Sequence, residues 1–265
     1  MQNTAKDAFD DAAGYERYVG RWSRFIAAKF LDWLNIGTGK IWLDVGAGTG
    51  ILTKVILDRA APEKIIAIDI SDRYLDYARQ AVPDPRVEFA VGDAANLATD
   101  AIGFDAAVAG LVLNFVPIPV DAVKGMREAV KSGGTVAAYV WDYGDRMEMM
   151  RHFWDAAMTV DPDAREFKAQ TQYAICNPDS LRELFGAAGL RNVETAPIDI
   201  PTTFADFDDF WQPFLGAQGS ISKFFRSRDD AGKEAIRRRL LEQLPISADG
   251  TIPLSARAWA VKGVR

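Results

Sequence analysis

The sequence has very little of the two residue types that most often bind transition metals. One cysteine, Cys176, and one histidine, His152, occur among 265 residues. A single cysteine cannot form a disulfide within the chain, and a zinc site needs several Cys or His ligands. The sequence therefore predicts no disulfide framework and no metal site.

Positive charge and long apolar runs are also scarce. The chain has 31 Lys and Arg against 37 Asp and Glu, a formal net charge of −6. Nucleic acids and anionic membranes are bound through clustered Lys and Arg, so this balance argues against both partners. No run approaches the roughly 20 apolar residues that span a bilayer, and MQNTAKDAFDDAAGYERY contains no apolar signal core. We expect a cytoplasmic protein, and the sequence leaves its oligomeric state open.

What is present is an alternation of short apolar runs with helical patterns between residues 40 and 141. Near-continuous apolar strands separated by helices predict a doubly wound α/β fold, with a parallel sheet covered on both faces. Gly133 and Gly134 are expected to end the helix before the fifth strand. The predicted strands are KIWLDV (40–45), KIIAID (64–69), RVEFAV (86–91), DAAVAG (105–110) and GTVAAYVW (134–141).

The remaining segments have their own patterns. Asn177 is expected to cap a helix over 177–190, and residues 161–175 are expected to form a loop. Phe207, Phe210, Trp211 and Phe214 recur at helical spacing and predict a buried helix face. Further helices are predicted over 15–34, 145–160, 204–215 and 229–244, and further strands over 191–200 and 254–263.

A glycine-rich loop follows the first predicted strand in WLDVGAGTG, residues 42–50. Bare backbone at the carboxyl end of a parallel strand lets a ligand approach closely. A dinucleotide-binding loop would place its third glycine at position 51, where this chain has Ile51, and the ending G-K-[ST] of a phosphate loop is absent. The loop therefore predicts a nucleoside ligand without a pyrophosphate.

Three aspartates lie near the ends of the first three strands. Asp69 would accept hydrogen bonds from ribose hydroxyls, and Asp93 would accept one from an adenine amino group while the N–H of Ala94 meets a ring nitrogen. Asp44 would hold the N–H groups of the glycine loop or a ligand ammonium. The simpler alternative is that such residues cap helices or stabilise loops.

These segments occur in an order and spacing that resemble class I S-adenosylmethionine-dependent methyltransferases. The segments are WLDVGAGTG, IIAIDIS, EFAVGDAANL, FDAAVAGLVLNFV and AVKSGGTVAAYVW, with SLRELFGAAGLRNVE and ARAWAV further along. The N-terminal YERYVGRWSR resembles an arm found in a bacterial subgroup that acts on small molecules.

The resemblance implies a fold and a domain plan. It implies a seven-stranded sheet of order 3-2-1-4-5-7-6 with strand 7 antiparallel, an N-terminal helical arm, and a helical cap before the last strand. The whole chain, 1–265, would be one methyltransferase domain. Its parts would be the arm (1–37), a cofactor-binding core (38–142) and a substrate-side half (143–265) with a helical insertion at about 203–250.

The cofactor implied by the resemblance is S-adenosylmethionine. The glycine loop would face its methionine part, Gly110 and Leu111 would lie beneath it, Arg21 would bind its carboxylate, and Tyr15 would belong to a lid. The full set implied is Asp44, Gly46, Ala47, Gly48, Gly50, Asp69, Ile70, Asp93, Ala94, Ala95, Gly110, Leu111, Tyr15 and Arg21.

The acceptor is expected to be a small molecule, with an apolar or aromatic one as a hypothesis. Methyl transfer is an in-line displacement that needs alignment and desolvation more than a catalytic residue. His152 and Asp142 are candidate bases, although a histidine in such surroundings is more often an ordinary packed or surface residue. LVLNFVP after the fourth strand lacks the Asn/Asp-Pro-Pro-Tyr/Phe arrangement of enzymes that methylate base amino groups. Acceptor-lining candidates are Tyr18, Asn114, Trp141 and Trp211.

Two other classes of function stay open at this point. A nicotinamide-dependent oxidoreductase of Rossmann type shares this architecture, with Ile51 as the argument against it. A non-catalytic S-adenosylmethionine-binding protein, or an enzyme that uses a modified S-adenosylmethionine, shares the cofactor-binding residues.

Overall fold

The computed structural model describes residues 20–97, 103–169, 173–215 and 219–265. A seven-stranded sheet has the order β3-β2-β1-β4-β5-β7-β6, with β7 antiparallel to β5. The predicted doubly wound sheet is thereby confirmed. Its strands are β1 (Ile41–Val45), β2 (Lys64–Asp69), β3 (Val87–Val91), β4 (Phe104–Gly110), β5 (Val130–Trp141), β6 (Arg191–Phe204) and β7 (Ile252–Val264).

The helices connect and surround these strands. Two single 3₁₀ turns, Ala94–Asn96 and Leu113–Phe115, follow β3 and β4. The α-helices are α1 (Arg21–Leu34), α2 (Ile51–Ala60), α3 (Asp72–Ala81), α4 (Pro119–Ala129), α5 (Glu148–Val160), α6 (Ala164–Ala169), α7 (Pro178–Ala187), α8 (Phe207–Leu215), α9 (Gly219–Arg226) and α10 (Asp230–Gln243).

The chain divides into two compact units. The sheet unit contains Ser23–Trp141, Ala174–Ile198 and Ala258–Arg265. The helical unit contains the residues up to Trp22 together with Asp142–Tyr173 and Asp199–Arg257. The predicted single domain and its three segments stay a prediction, since two compact units can belong to one domain or to two.

In the sheet unit, β1 lies between β2 and β4 in parallel register. Trp42, Leu43 and Val45 are buried, which explains why this strand is almost continuously apolar. Asp44 is the exception, because it is fully buried among these residues and pairs across the sheet with Ala67 and Val108.

In the helical unit, aromatic rings form the core. Phe153 stacks on Phe214 with ring centroids 4.7 Å apart, and Phe210 contacts both Phe204 and Phe214 edge-on. Phe210 and Phe214 are fully buried and Trp211 is nearly so. The predicted buried face of this helix is confirmed for these three residues.

Some element boundaries differ from those predicted. The helix before β5 ends at Ala129, and Gly133 and Gly134 lie inside the strand, where the β4–β5 register shifts. Gly133 has φ of +80°, which fits such an irregularity. Helix α6 lies within the expected loop 161–175, and helix α9 was not predicted. In α6 only Ala164 is buried, so the segment has no apolar stripe that periodicity could detect.

Other predictions from the pattern agree with the structure. Strand β2 has the predicted bounds, and the Asn177 side chain caps α7 by accepting a 2.9 Å hydrogen bond from the N–H of Ser180. Within the described ranges, no helix has the length and apolar content needed to cross a bilayer.

Candidate functional site

The glycine loop after β1 is tied to the end of β2 by its backbone. The N–H groups of Gly46 and Ala47 both donate to the carbonyl oxygen of Ile68 at 2.8 Å. The N–H of Gly48 donates to Oδ2 of Asp69, also at 2.8 Å. The loop is therefore held against β2 through one carbonyl and one carboxylate.

The glycines of this loop are needed for different reasons. Gly46 has φ of +73°, and a Cβ there would overlap the Val112 side chain, with Cγ1 only 2.7 Å away. Gly48 has φ of +54°, but a Cβ there would meet nothing within 4 Å. Gly46 lets two protein segments pack together, whereas Gly48 leaves open space beside the backbone.

Asp44 is the most unusual titratable group of the sheet unit. Its Oδ2 accepts a hydrogen bond of 2.6 Å from the Thr53 hydroxyl on α2, while its Oδ1 is buried with no partner among the described residues. Burial, and to a lesser degree the negative charge of Asp69, raises the pKa of Asp44 to about 7 even though Thr53 opposes the shift. The expected bonds from Asp44 to the loop N–H groups are absent from this part of the chain, since Ile68 and Asp69 accept those protons.

Asp69 ends β2 and performs the loop-stabilising role that the sequence offered as the simpler alternative. Its Oδ1 accepts from the N–H of Ser71 at 2.9 Å, which turns the chain into α3, and its Oδ2 accepts from Gly48. Burial raises the pKa of Asp69 although these N–H groups oppose the shift. Each carboxylate oxygen keeps a further lone pair, so ribose hydroxyls can still donate to it.

Asp93 lies at the neighbouring strand end. The N–H of Gly92 donates to the carbonyl of Asp69 at 3.0 Å, which places the two ends side by side. Asp93 is exposed and its Oδ1 accepts from the N–H of Ala95 at 2.9 Å, capping the short turn that also contains Ala94. Ile70, directly after Asp69, is 58% exposed and offers an apolar surface at this edge.

The end of β4 closes the other side of the loop. A Cβ on Gly110 would lie 2.6 Å from the Tyr139 hydroxyl oxygen, and the N–H of Leu111 donates to the Tyr139 carbonyl at 2.8 Å. Leu111 has φ of +61°, which is uncommon for a residue with a side chain and typical of functional sites. Asn114, three residues on, has both amide atoms buried without a partner in the described chain.

The residues at this edge fit a nucleoside that carries positive charge. Asp44 and Asp69 place two carboxylates beside a loop whose own residues, Gly46–Gly50, carry no charge. The unpartnered, buried Oδ1 of Asp44 gains most from a cationic hydrogen-bond donor, because such a donor offsets the cost of burying the carboxylate. S-adenosylmethionine has an ammonium group, a sulfonium, a ribose and an adenine, which are the groups that these residues can bind.

Three of the predicted site residues belong to the helical unit. The Arg21 guanidinium contacts the rings of Trp22 and Phe204, at 4.6 and 4.7 Å from their centroids, and its Nη1 donates to Asp209 at 2.6 Å. Trp211 stacks on Phe207. Asp142 accepts hydrogen bonds from the N–H groups of two residues of its own turn. The predicted roles of Arg21, Asp142 and Trp211 toward cofactor or acceptor stay predictions.

His152 also belongs to this unit, on α5. Burial lowers the pKa of His152, and the nearby positive charge of Arg151 adds to this. This shift favours the neutral form of the side chain, which is the form that can accept a proton.

The remaining predicted site residues are Trp141, Tyr15 and Tyr18. Trp141, at the end of β5, is 1% exposed and lies opposite Ala258 in the sheet. Tyr15 and Tyr18 lie outside the described residues, as does most of the predicted arm.

Three residues that shape this edge were missed by the sequence reading. Thr53 bonds Asp44, Val112 packs against Gly46, and Ser71 bonds Asp69 and caps α3. Ser71 was detectable, because a Ser directly before an Asp-led helical run is a common N-cap signal. Thr53 and Val112 carry no such local signal.

Residues 43–138 match the family model described as a methyltransferase domain. The chain carries a methyltransferase domain. The matched range includes the glycine loop, Asp69, Asp93 and the end of β4, so the domain contains the whole of the edge described above.

Relatives of the methyltransferase domain include enzymes with different acceptors. A malonyl-[acyl-carrier protein] O-methyltransferase of Acetivibrio thermocellus is 39% identical over 85 residues, which are 31% of this chain and 30% of that protein. A 2-phytyl-1,4-naphtoquinone methyltransferase of Thermosynechococcus vestitus is 27% identical over 181 residues, 63% of this chain and 80% of that protein. The chain thus spans less than a third of the first relative and four fifths of the second.

Solved structures share the fold over almost the full chain. Phosphoethanolamine N-methyltransferase 2 of Haemonchus contortus, in complex with S-adenosyl-L-methionine, matches with a TM-score of 0.61 at 16% identity, covering 99% of this chain and 60% of that one. At that identity the likeness shows the fold alone. The domain match confirms the predicted methyltransferase, and the shared fold is the one expected for the class I family.

Proposed function

We propose that this chain transfers a methyl group from S-adenosylmethionine to a small aromatic acceptor of the quinol or phenol class. The observation that carries the cofactor part of the proposal is the pair of carboxylates at the glycine loop. Asp44 is buried with one unpartnered oxygen, and Asp69 holds the N–H of Gly48 while keeping lone pairs for a ribose. This arrangement lies within the methyltransferase domain.

The proposed binding mode follows the strand ends in order. The methionine part lies along Gly46–Gly50 with its ammonium near Asp44, the ribose hydroxyls donate to Asp69, and the adenine amino group donates to Asp93. The exposed Ile70 packs on the adenine face. Ala94 and Ala95 lie beside the base, and Gly110 and Leu111 lie below the cofactor.

The charge of this edge argues against the nicotinamide alternative. A dinucleotide brings a pyrophosphate with two negative charges to its glycine loop, where backbone N–H groups receive it. Here Asp69 occupies the N–H of Gly48, and Asp44 lies directly before the loop. Dinucleotide-binding folds also have a carboxylate at the position of Asp69, so the discrimination rests on Asp44, whose negative charge repels a pyrophosphate and attracts an ammonium or a sulfonium.

The residues contribute alignment and exclusion of water. When bound, S-adenosylmethionine would supply an electrophilic methyl carbon: the acceptor atom bonds to this carbon in line as the carbon–sulfur bond breaks, and neutral S-adenosylhomocysteine leaves. Asp44 and Asp69 fix the two ends of the methionine–ribose portion, and the rigid end of β4 determines where the acceptor can approach. Proximity and desolvation of this kind account for a large part of the rate in displacement reactions.

The proposed acceptor class is argued from the relatives of this chain, and not from the aromatic residues of α8. Phe210, Trp211 and Phe214 pack on one another in the core of the helical unit, so their number is explained without an acceptor. The relative aligned over 63% of this chain is by its name a naphtoquinone methyltransferase. A hydroxyl acceptor would also need a proton acceptor, for which the neutral His152 is the stronger candidate and Asp142 the weaker.

The cofactor part of the proposal is tested by titration calorimetry. The wild type should bind S-adenosylmethionine and S-adenosylhomocysteine and should not bind NAD⁺. Asp69→Asn should weaken cofactor binding by about tenfold or more, since it removes the charge and one acceptor. The matched control is Asp58→Asn, an exposed carboxylate that pairs with Lys54 on α2 and should leave binding unchanged.

The transfer part is tested with methyl-labelled S-adenosylmethionine and menadiol, a 1,4-naphthoquinol. The expected product carries the labelled methyl group and is detected by mass spectrometry. Binding of the cofactor without transfer to this or any other acceptor would favour the non-catalytic alternative. Binding of NAD⁺ in place of S-adenosylmethionine would overturn the proposal.

A further inference from the structure

Asn114 lies on the short turn Leu113–Phe115, directly after the end of β4. The turn is held by its backbone, since the N–H of Phe115 donates to the carbonyl of Val112 at 2.8 Å and Leu113 is fully buried. Val112, on the same turn, packs against Gly46 of the glycine loop. Asn114 is therefore fixed on a rigid segment that touches the cofactor-binding loop.

The Asn114 carboxamide is buried and unpartnered at both of its atoms. Neither Oδ1 nor Nδ2 has a hydrogen-bond partner among the described residues. A carboxamide can donate two hydrogen bonds and accept two, so all of this capacity is unused. Buried polar groups in native proteins are almost always paired, and an exception at the rim of a binding site indicates a group that a ligand completes.

The apolar neighbours of Asn114 restrict the ligand further. Phe115 is 43% exposed and Ile118 is 55% exposed, and both lie in the segment FVPIP that follows. A neutral amide beside exposed apolar side chains suits a ligand with one group that both donates and accepts, attached to an apolar body. A carboxylate or a phosphate would instead require a cationic side chain, and this segment contains none.

We propose that the Asn114 carboxamide hydrogen-bonds the hydroxyl of a phenolic acceptor and thereby selects acceptors that carry such a hydroxyl. The inference rests on the proposed function and identifies the hydroxyl as the group of the acceptor that the protein recognises. Asn114 positions the acceptor and exchanges no proton with it. Phe115 and Ile118 pack on the acceptor's apolar body.

The test compares two probes that differ in whether the oxygen carries a proton or a methyl group. 1-Naphthol and 1-methoxynaphthalene are titrated into the protein by calorimetry, with and without saturating S-adenosylhomocysteine. The wild type should bind 1-naphthol about tenfold more tightly than its methyl ether, which is the discrimination expected for one buried hydrogen bond. Asn114→Leu, of similar volume, should bind both probes equally.

Two controls separate recognition from a structural role. Gln80→Leu removes an exposed amide from α3 and should keep the wild-type ratio of affinities. Because the Asn114 amide has no partner to lose, Asn114→Leu should keep or raise the melting temperature of the free protein. If Asn114→Leu fails to fold, Asn114→Ser replaces it. This variant should bind 1-naphthol more tightly than the methyl ether, but by less than tenfold.

Three outcomes would overturn the inference. They are a wild type that binds neither probe, a wild type that binds both equally, and an Asn114→Leu variant that keeps the tenfold preference. The last outcome is also what an ordinary bound water at Asn114 would produce. S-adenosylhomocysteine binding by the wild type tests the proposed function separately, because the probe ratio is measured with and without this ligand.

Discussion

Asp44 in the sheet unit and Asp209 in the helical unit are both carboxylates withdrawn from water, but only Asp209 has a cationic partner. Asp209 receives hydrogen bonds from Arg21 and from the N–H of Ala205, and although burial acts to raise its pKa, these bonds and the Arg21 charge lower it. Among the described residues Asp44 is hydrogen-bonded by Thr53, which carries no charge, and burial raises the pKa of Asp44 to about 7.

The difference is that Asp209 has a cationic partner within the protein, whereas Asp44 has none among the described residues. The Arg21–Asp209 pair joins opposite charges and the guanidinium contacts the rings of Trp22 and Phe204, although the Arg21 Nε is buried with no partner among the described residues. Asp44 lacks the positive charge that would make its burial favourable, and a cationic ligand would supply it. This contrast is the physical reason to place a cofactor ammonium at Asp44 and to treat Arg21 first as a structural residue.

The largest effect is expected when the charge of Asp44 is removed. Asp44→Asn should weaken S-adenosylmethionine binding by about 100-fold at pH 8, because a buried ammonium would lose its counter-charge. The fold should persist, since an amide oxygen can accept the Thr53 hydroxyl. Calorimetry measures the effect, with the exposed Asp121→Asn as control. Binding within threefold of the wild type would remove Asp44 from the cofactor site.

The next largest effect is expected when the Arg21–Asp209 ion pair is removed. Arg21→Ala should lower the free energy of unfolding by about 2 to 3 kcal/mol, since it removes an ion pair and two cation–π contacts and leaves Asp209 half-buried. Arg237→Ala is the matched control. Arg237 also lies over a ring, that of Phe207, but its contact with Asp208 is 3.9 Å long and exposed, so about 0.5 kcal/mol is expected.

Urea unfolding measures both arginine variants. Equal losses from the two would contradict the structural role of Arg21. A folded Arg21→Ala variant with reduced cofactor affinity would instead support the role predicted from the sequence, at the cofactor carboxylate.

A somewhat smaller effect is expected from pH. Between pH 4 and 7 the native protein keeps a proton on Asp44 that the unfolded chain has released, so stability falls as pH rises through this range. From pH 5.5 to 8 the free energy of unfolding should fall by about 2 kcal/mol more in the wild type than in Asp44→Asn. Urea unfolding of both proteins at the two pH values measures this effect. If the free energy of unfolding falls equally in the wild type and in Asp44→Asn, the pKa of Asp44 is not raised.

The smallest effect is expected at the one hydrogen bond of Asp44. Thr53→Val removes the hydroxyl and should cost about 1 kcal/mol, while Thr53→Ser keeps the hydroxyl and should cost less. The pKa of Asp44 should rise further in Thr53→Val, because the opposing hydrogen bond is gone. If stability changes at the same pH in Thr53→Val as in the wild type, the Thr53 hydroxyl does not influence the pKa of Asp44.

Much of the sheet was predictable, because buried parallel strands are recorded in the chain as apolar runs. Strand β2 has the predicted bounds, and the order of the seven strands followed from a resemblance carried by whole segments. The irregular start of β5 was not predictable, since the register shift at Gly133 depends on the partner strand β4. Helix α6 was missed because it buries a single residue.

The candidate site was predictable in its residue types and only partly in its contacts. The sequence indicated that Asp44 and Asp69 lie near the glycine loop, and offered Asp44 either the loop N–H groups or a ligand ammonium. In the structure Asp69 accepts one of them, at Gly48, and the Ile68 carbonyl accepts two others. Which acceptor a backbone N–H reaches is set by positions to within an ångström, and residue spacing does not contain that information.

The amino-acid sequence by itself determined the sheet, the glycine loop and the family, because these depend on local patterns and on motifs that tolerate variation elsewhere. Tertiary structure alone decided that Asp44 is bonded to Thr53 with one oxygen left over, that Gly46 is required by Val112, and that the Asn114 amide is buried without a partner. Each of these depends on residues from different segments meeting at one strand edge, where burial removes the water that would otherwise satisfy them.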